Sequence, residues 1–337
     1  MVEVREDWLA LVQEEIIDPE RRIVDPHHHF FLNSEHGFPD YLLDHFWRDT
    51  GSGHRVEQTV FIDCSAEYRT DGPEELKSLG QTEWVESLAN EAANGAPGAA
   101  RVNAIVGFVD LGIGARAREV LQQHQEASSR FRGIRYIVAW DEDESVPSMD
   151  VPGPDYYRDP QFREGFAQLA PLGLTFDAWH YHPQTQYLIE LARAFPETSI
   201  VMDHLATPIR GGAHGSDEDV FEQWKQDVTE LATCSNVVMK LGGMLMPWNG
   251  YGWDTRERPG TSDELVEQQG LYYRHAIEAF GPDRCMFESN FPADKGSLSY
   301  HVAWNAFKKL VADFSESEKD AMFSGTAMRV YGLDPIG

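Results

Sequence analysis

The chain has 337 residues, 42% of them hydrophobic, enough to bury a sizeable core and within the size range of a single α/β barrel. Its 56 acidic against 28 basic residues give a formal net charge of −28, which argues against nucleic acid and anionic membrane as partners, because both are held by Lys and Arg. No apolar run reaches the ~18 residues of a membrane span, and three scattered cysteines, Cys64, Cys234 and Cys285, make no disulfide framework, so a reducing cytoplasm is the expected compartment.

The opening segment, MVEVREDWLALVQEEIIDPE, is acidic and amphipathic and lacks the basic start and apolar middle of a secretory leader. It predicts a helical extension over residues 1–20, followed by one domain over 21–337. From there, short β-branched runs alternate with longer stretches of helical spacing. The first four runs are RIVDPHHHF (22–30), QTVFIDCS (58–65), VNAIVGFVDL (102–111) and GIRYIVAW (133–140). The next four are GLTFDAWHYH (173–182), SIVMDHL (199–205), NVVMKLGG (236–243) and RCMFESNFP (284–292). Between them, TEWVESLANEAA, VFEQWKQDVTELATC and LYYRHAIEAFG carry apolar residues three and four apart. That alternation predicts βαβ units on a parallel sheet, and eight units predict an α/β fold of the (β/α)8 TIM-barrel type in a single domain. No glycine-rich dinucleotide fingerprint follows the first strand, which disfavours a doubly wound open sheet.

A (β/α)8 barrel carries its active site at the C-terminal ends of the strands. Polar groups gather at those ends here: His27 and His29, Asp63, Asp110, His180 and His182, Asp203-His204, and Glu288-Ser289-Asn290. Strand alternation turns His27 and His29 to one face and His28 to the other, toward the surrounding helices. Two neutral imidazoles can converge on a substrate carbonyl or a metal ion, and a zinc ion with three protein ligands lowers its water's pKa from ~15.7 to about 7. His204, in VMDHLATP, reads either as a third ligand or as a general acid that polarises a carbonyl. His180 and His182, in AWHYHPQ, share a face and become candidates for catalysis and substrate contact. Arg135 reads as a clamp for a substrate carboxylate or as the partner of a barrel acid, and Lys240 has the same two readings. The loop MLMPWNGYGWDTRERPGTS (244–262) is long and aromatic, as a functional cover would be. Its Trp248, Tyr251 and Trp253 suit either a flat substrate or packing on the barrel rim.

Nine segments carry a resemblance to the amidohydrolase superfamily over nearly the whole chain after about residue 20. They are VDPHHHF, TVFIDCSAEYRTDGPEEL, GQTEWV, AIVGFVDLG, RGIRYIVAW, FDAWHYHPQ, VMDHLATP, VMKLGGMLMP and MFESNFPADKGSLSY. Within that superfamily the chain resembles the branch of lactonases and decarboxylases that includes pyrone-dicarboxylate lactonase and fuconolactonase-like enzymes. The resemblance implies that His27 and His29 bind a metal ion or, in metal-independent lactonases, the substrate, and that His204 activates the scissile carbonyl. It also implies an aspartate after the eighth strand, often within SDWP, that binds metal or deprotonates water. Asn290, in SNFPAD, stands there instead; as a catalytic candidate its amide can orient water or substrate, but it accepts no proton near neutral pH.

Two carboxylates are expected to compensate. Asp294 is the candidate base or substrate contact. Glu288, one layer deeper on the same face, is a candidate metal ligand with His27 and His29, or an ion partner of Lys240 or Arg135. The expected function is hydrolysis of a cyclic ester, or of a related ester or amide, in a small carboxylated or aromatic substrate. The expected cofactor is a divalent metal, zinc foremost, with a metal-free mechanism as the other case. A metal-dependent decarboxylase or C–C lyase and a non-catalytic ligand-binding barrel are the alternatives. For assembly the resemblance implies a homodimer.

Overall fold

A computed structural model describes residues 4–34, 37–144, 146–149, 151–210, 214–246 and 249–335. All eight expected runs form strands: β1 (Arg22–His28), β2 (Arg55–Ile62), β3 (Arg101–Gly107), β4 (Phe131–Ile137), β5 (Thr175–Trp179), β6 (Ile200–Met202), β7 (Val237–Leu241) and β8 (Cys285–Phe287). They pair in parallel in chain order. The sheet closes where His28 bridges Phe291, with His29 N donating to Phe291 O at 2.8 Å and Asn290 N to His27 O at 3.0 Å. The molecule is a (β/α)8 TIM barrel.

Its helices are α1 (Glu6–Leu9), α2 (Leu43–Thr50), α3 (Leu79–Ala93), α4 (Ala117–Ala127), α5 (Pro160–Phe166), α6 (Thr185–Ala194), α7 (Asp217–Leu231), α8 (Ser262–Phe280), α9 (Tyr300–Leu310), α10 (Glu316–Asp320) and α11 (Thr326–Tyr331). Side chains fix several starts: Ser216 and Thr261 cap α7 and α8, and Asp159 caps α5 ahead of Pro160. Alternation along the strands then sorts the core. Ile23, Phe61, Ile105, Phe176, Met239 and Phe287 belong to the large apolar layer shared with the helices. Val24, Val60, Ile62, Ala104, Val106, Val201, Val238 and Met286 form a second cluster that fills the lower barrel.

Ala327, Tyr331 and Leu333 complete that inner cluster, so α11 plugs the N-terminal end of the barrel. Arg132 Nε donates to Tyr331 O at 2.8 Å, and Gln58 Nε2 to Asp334 O at 3.0 Å. From this floor the Tyr331 hydroxyl reaches up to donate to Asp177 Oδ2 on β5 at 2.6 Å.

The extension before β1 differs from the expected helix. Only the single turn of α1 forms, because the later polar groups of the segment bind the α8–α9 layer instead of one another. Ile17 N donates to Asn305 Oδ1 at 2.9 Å, Lys308 Nζ donates to Asp18 O at 2.7 Å, and the Glu14 carboxylate accepts from Ser262 N at 2.8 Å. Among the described residues, no helix is long and apolar enough to cross a membrane.

Tyr331→Phe keeps the shape of the floor but removes a donor from a buried carboxylate, and should lower stability by about 1–3 kcal/mol in urea unfolding. Tyr331→Ala also opens a cavity under the barrel and should cost about 3–5 kcal/mol.

Candidate active site

Above the apolar cluster, the same inward register turns charged. Two residues beyond inward Val201, Val238 and Met286 come Asp203, Lys240 and Glu288, and Asp177 and Arg135 project from β5 and β4. Asp177, Asp203, Lys240 and Glu288 expose no surface at all. Charges so placed must be matched by partners.

They are. Lys240 Nζ lies 2.7 Å from Asp177 Oδ2, 3.0 Å from Asp203 Oδ1 and 3.2 Å from His27 Nδ1. Glu288 Oε1 accepts from His204 Nδ1 at 2.7 Å and from His204 N at 3.2 Å, while Oε2 faces His27 Nδ1 at 2.9 Å. Burial pushes the Glu288 carboxyl up, but the His204 and His27 rings outweigh it and hold the group down at about 2. Burial likewise lowers His204, and the Glu288 carboxylate more than reverses this, so His204 ends above its ordinary value. His27 and His29 stay neutral: burial lowers both, helped by Lys240 for His27 and by Arg135 for His29. Asp294 is pushed up to about 7 by burial, against the pull of His204 and of the Asn290 amide, which donates to Oδ1 at 3.0 Å.

The acceptors assign the protons. Ile62 O can only accept, so the 2.9 Å contact places a proton on His29 Nδ1 and leaves a lone pair on Nε2. His27 Nε2 lies 3.2 Å from that lone pair. His27 Nδ1 faces both Lys240 Nζ at 3.2 Å and Glu288 Oε2 at 2.9 Å; bare it accepts from the lysine, and protonated it donates to the carboxylate.

His204 is presented by a left-handed turn. His204, Leu205, Ala206 and Thr207 have φ of 54°, 55°, 56° and 37°, a conformation that costs an L residue about 1–2 kcal/mol each. Thr207 N donates to His204 O at 2.8 Å, and the Trp224 indole donates to Leu205 O. Two glycines after β7 make the room. A Cβ on Gly243 (φ 69°) would lie 1.9 Å from His204 Nδ1, and one on Gly242 would lie 2.5 Å from Glu288 Cγ. Both belong to VMKLGGMLMP, where sequence reasoning gave them no role.

The barrel thus brings His27, His29, His204, Lys240, Glu288, Asn290 and Asp294 together. Arg135 sits beside them, donating to the Asp63 carbonyl, with the Asp63 carboxylate 4.0 Å away and its own Nε without a hydrogen-bond partner. His28 faces outward as expected, against Phe30, Phe46 and Phe61, with Nε2 3.0 Å from Thr59 Oγ1. The expected ion pair of Glu288 with Lys240 or Arg135 does not form, because Asp177 and Asp203 take the lysine.

His180 must be withdrawn from the expected catalytic set. The parity of β5 carries it away from the barrel interior, where both ring nitrogens are engaged, by Tyr157 Oη at 3.2 Å and Thr185 Oγ1 at 3.3 Å. The inward residue is Trp179, whose ring meets His204 at 5.8 Å and whose Nε1 donates to Thr207 Oγ1 at 2.9 Å. His182 pins the loop after β6, its Nδ1 accepting from Ile209 N at 3.2 Å. Trp248 lies outside the described residues. Trp253 is buried with its indole on Gln268 Oε1 at 3.0 Å, and Tyr251 lies under Arg210 at 4.3 Å, so both pack the rim.

The converging metal-type group is His27, Asp203 and His204, whose ligand atoms lie within 4.8 Å of one another. Asp203 and His204 stand in it where His29 and Glu288 were expected beside His27. Asp203 Oδ2 is buried without a hydrogen bond, and Oδ1 is ion-paired to Lys240 at 3.0 Å. Two imidazoles and such a carboxylate fit zinc or a similar divalent ion.

Glu288→Gln leaves His204 buried without its counter-charge, so its pKa should fall from above to below the ordinary value of about 6.5, read by NMR titration of the imidazole. Gly243→Ala should displace the same ring and abolish the wild-type titration in a protein that is still folded.

A family model described as Amidohydrolase matches residues 24–333. The uncharacterized protein y4mH of Sinorhizobium fredii is 31% identical over 331 residues, covering 92% of this chain and 98% of its own. An L-fucono-1,5-lactonase of Burkholderia ambifaria is 25% identical, over 92% of this chain and 96% of its own. Among solved structures, an amidohydrolase from Burkholderia multivorans with bound Zn superposes with a TM-score of 0.72 at 22% identity, over 93% of this chain and 99% of that one.

Proposed function

The chain belongs to the amidohydrolase family, and on that footing we propose that it hydrolyses the ring ester of a small polar lactone. One observation carries the reading. An ionised Glu288 holds the buried His204 ring above its ordinary pKa, beside an Asp294 carboxyl that titrates at about 7. An acid able to polarise a carbonyl and a base able to take a proton from water at neutral pH are what ester hydrolysis requires. The lactonase among the relatives supports the substrate class.

The steps follow from the groups. Protonated His204 donates to the lactone carbonyl oxygen and then carries the charge that develops on it. Asp294, oriented by the Asn290 amide, removes a proton from the attacking water. Collapse of the tetrahedral adduct breaks the ring C–O bond, and the proton held by Asp294 passes to the departing alkoxide. Asn290 therefore serves in this reading without itself being a base. The free Nε of Arg135 supplies a charged donor for a substrate oxygen. A divalent ion held by His27, Asp203 and His204 would add Lewis acidity and an acidified water. Because a protonated imidazole has no lone pair, His204 acts as acid or as ligand, never both at once.

Turnover of aldonolactones in ¹⁸O-water should place one heavy oxygen in the new carboxylate and release no CO₂. Released CO₂ would replace this reading with decarboxylation, and binding without consumption would make the barrel a ligand carrier. His204→Ala should lower kcat by about 10²-fold or more. Asp294 works as its carboxylate, so kcat/KM should rise with pH through about 7, and Asp294→Asn should remove that rise.

A further inference from the structure

Lys240 stands inside the candidate ligand group. Its Nζ is 3.0 Å from Asp203 Oδ1 and 3.2 Å from His27 Nδ1. Two of the three groups able to bind an ion thus already face an ammonium, and no exposed surface lets it swing into water. A retreat exists on its other side, where Asp177 Oδ2 lies 2.7 Å away and is itself held by the Tyr331 hydroxyl at 2.6 Å. His27 is constrained as well. Its Nδ1 lies between Lys240 Nζ at 3.2 Å and Glu288 Oε2 at 2.9 Å.

We propose that Lys240 is an internal cation that competes with a divalent metal ion for Asp203 and His27, and that loading the site requires it to withdraw onto Asp177. A like charge this close opposes the ion in an interior where screening is weak. The lysine therefore sets how tightly the barrel holds metal, with Asp177 and Tyr331 as positioning residues at the floor. The inference rests on the metal-type group, not on the lactone reading.

The test measures zinc and manganese affinity of metal-stripped protein by competition with a chromophoric chelator. Lys240→Met with Asp177→Asn removes the lysine and its acid together and leaves Asp203 unopposed. This double variant should bind zinc at least about 10-fold more tightly than the wild type, the scale of a group just behind a ligand. Adding Asp203→Asn should erase the gain. Equal or weaker binding in the double variant overturns the proposal, as does zinc binding to neither protein.

Should circular dichroism show the double variant unfolded, Tyr331→Phe carries the same test. Losing the tyrosine proton makes Asp177 a stronger acceptor for Lys240, and zinc affinity should rise about threefold, a smaller effect for a group one step further out. An unchanged or reduced affinity overturns the proposal. The readout is metal affinity alone, so the presence or absence of lactone turnover does not enter it.

Discussion

A carboxylate with no exposed surface cannot stay ionised by itself, and the upper layer of this barrel buries Asp177, Asp203 and Glu288 within one small volume. Most of the local architecture answers that constraint. The two aspartates share Lys240, while Glu288 takes one proton-bearing nitrogen from His204. The chain then bends to let the partners reach. The left-handed turn after β6 aims His204 at Glu288, and Gly242 and Gly243 leave the space that a Cβ on either would fill. Backbone strain of this kind persists only where its surroundings over-determine it. Here the Trp224 indole, the Trp179–Thr207 bond and the Glu288 carboxylate all hold the same turn.

His27 joins the two halves of this arrangement. Its Nδ1 faces both Lys240 and Glu288, and a neutral imidazole can serve only one of them through one nitrogen. Ile62 fixes the proton on His29 Nδ1, and the bare His29 Nε2 then faces His27 Nε2 at 3.2 Å.

Much of this was legible in the sequence. β-branched runs gave all eight strands, and the HxH spacing placed His27 and His29 on one face, where the structure brings their Nε2 atoms to 3.2 Å. The amide at Asn290, where the resemblance implies an aspartate, turned attention to Glu288 and Asp294, which the structure places beside His204 and Asn290 respectively. The misreadings have physical causes. His180 became a catalytic candidate because periodicity says that alternate residues share a face without saying which face. Asp177, an acid in mid-strand that could hardly face the apolar helix layer, would have set the parity of β5. Asp203 and His204 are neighbours that would point opposite ways in an extended strand, and the turn at His204 brings both to one centre. Gly243 carries no chemistry, and its role exists only because the His204 ring passes where a side chain would stand.

The floor of the barrel has a bearing on biosynthesis. Strand β8 ends at Phe287, yet the hydroxyl that joins Lys240 on Asp177 Oδ2 comes from Tyr331, more than forty residues further along the chain. A nascent chain that has all eight strands outside the ribosome still lacks the plug that shuts water out of the lower barrel, and its buried acids are only partly matched. Co-translational folding can assemble the strands in order, but the charged centre is completed after α11 has emerged. During that interval the barrel is open at its base, and its apolar lower layer is exposed to chaperones and to other unfinished chains.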